Sequence, residues 1–140
     1  MMDIDTLYLR RCISTLDKAY SLLLKANKEE IDYDMYRSAS IKEFEIILEQ
    51  CGKLLKKALK PYFHSSKAVD VLVFKDVFRN AVLHGIIDAE TCERWLVYRD
   101  NRNSTAHDYG LGFAEDTLLL LPQFIIDAKA LSDAIDQSNE

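Results

Sequence analysis

Only four glycines and two prolines punctuate the 140 residues. No Asn-Gly or Asp-Gly pair occurs, so the strongest short hairpin signal is missing. Runs that alternate apolar and polar residues are scarce. A sheet-based fold is therefore disfavoured, and the chain reads as all-α. The three cysteines, Cys12, Cys51 and Cys92, are odd in number and too far apart for a zinc site. Each falls inside an apolar helical pattern, so buried thiols in a reducing compartment are expected. No apolar run reaches the ~18 residues of a membrane span. The first residues, Met1-Met2-Asp3-Ile4-Asp5, are acidic where a secretory leader is basic and then apolar. These two features predict a cytoplasmic protein with no membrane partner. A Gly-rich phosphate loop and a serine elbow are both missing. His64, His84 and His107 are widely separated, without the carboxylate–histidine spacing of metalloenzymes. No metal or cofactor is expected.

What is present is a soluble composition, 49% apolar and 29% charged. The length suits one helical domain over residues 1–140. The net charge of −5, with a pI near 5.2, disfavours a surface that grips nucleic acid everywhere. A local basic site remains open.

Apolar residues recur every three or four positions in five stretches. The first spans Asp3 to Lys25, with Ile4, Leu7, Cys12, Leu16, Ala19 and Leu23 as its stripe. Leu9, Ile13, Tyr20 and Leu24 widen it, and Asp3 or Asp5 can cap its start. The second, Tyr33 to Leu59, carries Ile41, Phe44, Leu48, Cys51, Leu55 and Ala58, continuing to Tyr62. Gly52 inside it costs about 1 kcal/mol against alanine, which points to close packing there. Pro61 marks the exit. His64 to Lys67 reads as a loop, and a third helix is expected from Val71 to Leu83, stopped by Gly85. A fourth starts at an Asp88 cap, with Cys92, Trp95, Leu96 and Tyr98 inward. The fifth, Phe113 to Ile135, contains Pro122, which should kink it. The expected architecture is an antiparallel up-and-down bundle of four to five helices.

Two features carry possible chemistry. Lys53, Lys56, Lys57 and Lys60 share one helical face. Such a face is either simply solvated or meets phosphate or an acidic partner. The second feature is Arg102-Asn103-Ser104-Thr105-Ala106-His107-Asp108-Tyr109, where the fourth helix turns polar. An arginine and a histidine near a helix end can merely complement the macrodipole. They can also be a site. Arginine binds phosphate in a bidentate way, and histidine moves protons near neutral pH. Metal-free RNA cleavage needs a base for the ribose 2′-hydroxyl, an acid for the leaving oxygen and a cation for the phosphate. One histidine per chain does not readily serve both proton transfers, so the enzyme reading predicts a homodimer with the stretch at its seam.

Arg102, four residues, His107, one residue and Tyr109 resemble the R-x4-H-x-Y signature of HepT-like proteins in the HEPN superfamily. The surroundings resemble the related nucleotidyltransferase substrate-binding proteins. These have a Phe-Glu pair on helix two, here Phe44-Glu45, and a segment similar to Phe74 to Ala81 leading into Gly85-Ile86-Ile87. A tryptophan precedes the motif, here Trp95, and Leu121-Pro122 matches a pair in the last helix. The resemblance spans Tyr33 to Leu131. It implies a toxin of a toxin–antitoxin pair, a metal-independent ribonuclease whose partner, a minimal nucleotidyltransferase antitoxin, adds AMP to the motif tyrosine. By the same resemblance Arg102 stabilises phosphate, His107 moves protons, Asn103 orients the site and Tyr109 accepts AMP. Arg99, Lys53, Lys56 and Lys57 are the candidate RNA or partner contacts. Relatives carry Ser or Thr before the histidine and Asp-Glu after the tyrosine, where this chain has Ala106 and Gly110-Leu111. The alternative is a non-catalytic subunit that presents a substrate or nucleotide to a transferase.

Overall fold

A computed structural model describes residues 3–105 and 111–139, and at 104, 105 and 111–113 the backbone alone. Within these residues the chain is helical, with no strand. The elements are α1 (Leu7–Lys25), α2 (Ile31–Leu59), a 3-10 turn (Lys60–Tyr62), α3 (Ser66–Asp70), α4 (Phe74–Leu83), α5 (Ala89–Thr105) and α6 (Leu111–Gln137). The all-α bundle read from the sequence is the observed fold. Its helix count differs, because a one-turn α3 stands where a loop was expected.

Helix α2 is the element the others pack on. It runs 29 residues, about 43 Å at 1.5 Å per residue. Phe44, Ile47, Leu48, Cys51, Leu55 and Leu59 on it are fully buried. Helix α1 covers one side of this stripe with Leu9, Ile13 and Leu16, and α6 closes the core with Leu121, Phe124, Ala128 and Leu131. Each large apolar side chain buried in this way contributes about 1.5–3 kcal/mol before ordering costs.

The start of α5 and the end of α4 follow the sequence signals. The Asp88 carboxylate accepts the backbone N–H of Thr91 at 2.7 Å and so satisfies an orphan donor of α5. That bond, the largest influence on the group, holds Asp88 below the usual carboxylate range. Helix α4 ends at Gly85, whose φ of +74° is the left-handed conformation that glycine accepts without strain. The Ile86 N–H then bonds back to the Ala81 carbonyl at 2.8 Å, closing the helix end.

The expectations fail where apolar residues do not report burial. Leu7 and Leu24 are 74% and 68% exposed, so they lie outside the α1 stripe. Helix α1 itself starts four residues later than expected, after Thr6, although Asp5 does accept the Leu7 N–H. Between α2 and α4, Ser65 caps α3 by accepting the Ala68 N–H at 3.2 Å. Helix α4 therefore begins at Phe74, and Val71 and Val73 are exposed in the connection. Tyr62, the last member of the expected α2 stripe, is 53% exposed and stacks on His84. Helix α6 stays helical through Pro122, which is exposed.

Candidate functional site

Helix α5 is fixed from below by an aromatic cluster. Trp95 is fully buried and stacks on Phe78 of α4, with ring centroids 5.0 Å apart. It meets Phe124 of α6 edge-on at 5.6 Å, and Tyr98 meets the same ring at 4.9 Å. Phe44 of α2 completes the group at 4.6 Å from Phe124. Such contacts add about 0.5–1.5 kcal/mol each beyond area burial. Arg102 lies seven residues beyond Trp95, about 10 Å further along the helix.

A polar clamp ties α5 to α6 on another side. The Arg94 guanidinium grips Asp127 through two bonds of 2.8 and 2.9 Å. The Tyr98 hydroxyl donates to the same carboxylate at 2.5 Å, and Gln123 donates at 3.1 Å. Burial alone would raise the Asp127 carboxyl. The donors from Arg94, Tyr98 and Gln123 outweigh it and hold the group below the usual carboxylate range. Burial, and then the bond to Asp127, push the Tyr98 phenol well up, so it stays a neutral donor. One turn further on, Asn101 donates to the fully buried Thr117 of α6 at 2.9 Å. None of these partners was anticipated from sequence. The available signal was a lone acid, Asp127, set among Phe124, Ile125 and Ala128 in an otherwise apolar stretch.

The candidate cations stand on the seam between α5 and α2. Arg102 pairs with Glu45 (Nε to Oε2, 3.0 Å), and both side chains are about one-third exposed, 30% and 35%. One turn back on α5 and one turn further on along α2, Arg99 pairs with Glu49 at 2.7 Å. The Arg99 guanidinium also lies over the Phe74 ring, 4.8 Å from its centroid. Asn103, the proposed orienting residue, is exposed in the last turn of α5. His107 and Tyr109 fall outside the described residues.

Of the lysine face on α2, Lys53 and Lys56 line a groove of about 400 Å³ with Glu49, Gly52, Phe74 and Arg99. Lys57 lies elsewhere, at a smaller cleft with Lys60 and Asn139. Gly52 matters here because a Cβ at that position would meet the Phe74 ring at 2.9 Å. The close approach expected at this glycine is thus with an aromatic side chain of α4. The cysteines are all buried thiols, as the apolar pattern suggested, and burial pushes Cys51 furthest up.

This arrangement is an all-α bundle whose α5 presents Arg99 and Arg102 along α2, beyond a buried tryptophan. The chain belongs to the family described as nucleotidyltransferase substrate binding protein like, whose model matches residues 11–137. It is 28% identical over 107 residues to a protein of Haemophilus influenzae named probable ribonuclease HepT, covering 76% of this chain and 72% of that one. A solved structure from Haemophilus influenzae, described as the fold of a substrate binding domain of a nucleotidyltransferase, superimposes with a TM-score of 0.78. That likeness covers 94% of this chain and 98% of the other at 23% identity, and it establishes the fold. No described helix is long and apolar enough to cross a membrane.

Proposed function

We propose that this chain is a HepT-like toxin, a metal-independent ribonuclease, held in check by a minimal nucleotidyltransferase that adds AMP to Tyr109. The observation that carries the reading is the position of Arg102. It is partly exposed and paired with Glu45 on α2, in the last turn of a helix otherwise anchored in the core. The name of the Haemophilus relative supports the same activity.

In this reading Arg102 binds the scissile phosphate and stabilises the charge that builds there. His107 of one protomer takes the proton from the ribose 2′-hydroxyl as that oxygen bonds to phosphorus. His107 of the second protomer gives a proton to the departing 5′-oxygen as the P–O bond breaks. The products are a 2′,3′-cyclic phosphate and a 5′-hydroxyl. Asn103 orients the site. The transferase would join the Tyr109 phenol oxygen to the α-phosphorus of ATP, releasing pyrophosphate, with the phenol proton passing to a base. The added phosphate and nucleoside would block the groove and repel RNA. A cytoplasmic location and a single helical domain belong to the same proposal.

The test is incubation of the purified chain with end-labelled RNA in excess chelator. Cleavage to cyclic-phosphate ends is expected. Intact RNA together with tight nucleotide binding would instead favour the second reading, a non-catalytic subunit that presents substrate to a transferase. The family description favours that reading. Intact mass after co-expression with a neighbouring transferase checks the modification, with addition of AMP on the Tyr109 peptide expected.

A further inference from the structure

Three cations, Arg99, Lys53 and Lys56, line one groove in a chain whose net charge is −5, and Arg102 stands one turn from Arg99 on α5. Arg102 stands over Glu45, and Arg99 stands over Glu49. Lys53 and Lys56 on α2 line the groove with Phe74 and Arg99. The α2 positions 45, 49, 53 and 56 share one helical face, each about one turn after the last. From first to last they span about 16 Å at 1.5 Å per residue. Glutamates screen the Arg102 end, whereas the far end carries two lysines, with Lys56 bonded through a backbone carbonyl, that of Asp70.

Gly52 keeps this groove open. Its missing side chain lets the Phe74 ring lie against α2, which draws the ring down to form the floor and brings Arg99 over its face. A Cβ at 52 would come within 2.9 Å of the Phe74 ring, so any larger residue there would displace it.

We infer that the groove between α2, α4 and α5 is a track for single-stranded RNA flanking the cleavage point, with Lys53 and Lys56 on successive phosphates. The inference rests on the ribonuclease reading for the choice of polyanion. A flexible single strand is the form that can pass its phosphates along a groove of about 400 Å³ lined by Lys53, Lys56 and Arg99. Bonds to phosphate hold the strand in register without reading its bases, so the track adds affinity and not sequence preference.

The test uses the full chain and a short fluorescent RNA with 2′-O-methyl sugars, which cannot be cut, titrated by anisotropy across a potassium chloride series. Parent protein should bind with a salt-dependent affinity. K53Q/K56Q should weaken binding about fivefold or more at low salt. It should also reduce the slope of log affinity against log salt by about 1.4, at ~0.7 for each phosphate no longer neutralised on a single strand. K53Q alone should give about half that change and guards against a loosened Asp70 segment in the double variant. The exposed Lys25→Gln, on α1, should change neither quantity. An unchanged slope in K53Q/K56Q overturns the track, even if the parent cuts unmodified RNA. Competition by a polyglutamate peptide as strong as by RNA of equal charge would also overturn it, in favour of an acidic protein partner. Failure of the ribonuclease reading shows separately, as binding of this kind without cleavage of unmodified RNA.

Discussion

A single missing methyl group sets much of the geometry beside the candidate site. Gly52 was readable as a helical glycine with a packing reason, but its neighbour was not, since Phe74 comes from another helix. Replacing it with alanine should gain about 1 kcal/mol of helix propensity and cost about 1–3 kcal/mol in overpacking. The expected outcome is a lower urea midpoint with an unchanged m-value, together with weaker RNA binding as the ring moves. The cysteines give a second expectation at this scale. Burial raises Cys12, Cys51 and Cys92, which keeps them as unreactive thiols. Iodoacetamide near neutral pH should label none of them in the native protein and all three after urea unfolding, as mass spectrometry will count.

Helix α5 owes its aim to two devices of different legibility. Trp95, Cys92 and Tyr98 were visible as an inward stripe, and all three are buried. The Arg94–Asp127 clamp was not, because a charged pair between distant positions leaves no periodic trace in either helix. Its side chains are unequally buried, with Asp127 3% and Arg94 33% exposed, so removing the acid strands a partly covered guanidinium. Asp127→Asn should cost about 2–4 kcal/mol, by the usual scale for breaking such pairs with some solvent relief. The pH dependence follows from the sign of the shift. Asp127 and Asp136 are both held below their ordinary values once burial is outweighed by their donors. For Asp136 those donors are Thr6 and Arg10, and Arg10 also reaches Asp133 at 2.8 Å. Their stabilising effect is complete above the unfolded carboxylate pKa of about 3.9 and is lost as pH falls through the lower folded values. Urea midpoints should therefore be flat from neutral pH down to about 5 and fall below about 4. The Asp127→Asn variant should show a shallower fall.

At the scale of the molecule, the fold was legible because a bundle needs only helical periodicity and few breakers. The long stripe of α2 and the Asp88 start of α5 came directly from residue spacing. The segment between α2 and α4 did not, since Val71 and Val73 look like core residues and only Ser65 marks the short helix before them. The exposed Leu7 and Leu24 misled for the same reason: an apolar side chain does not by itself report what covers it. For the site, spacing placed Arg99 and Arg102 on α5, but Glu45 and Glu49 as their partners required the packed α2–α5 seam. The proposed two-histidine chemistry requires two protomers. Sedimentation equilibrium should accordingly give a dimer or a multiple of it, and a monomer at all accessible concentrations would remove the second histidine from the scheme.

The central claim is that Arg102 and His107 act together on one phosphate. Cleavage of labelled RNA in chelator should be compared for the parent, Arg102→Ala, His107→Ala and the double variant, each first shown to melt as the parent does. Residues acting as one unit are strongly non-additive. The expected result is a loss of at least about a hundredfold in each single variant, on the scale of a removed general base, with little further loss in the double. Cleavage by His107→Ala at the parent rate, or two independent losses that multiply, would contradict the account.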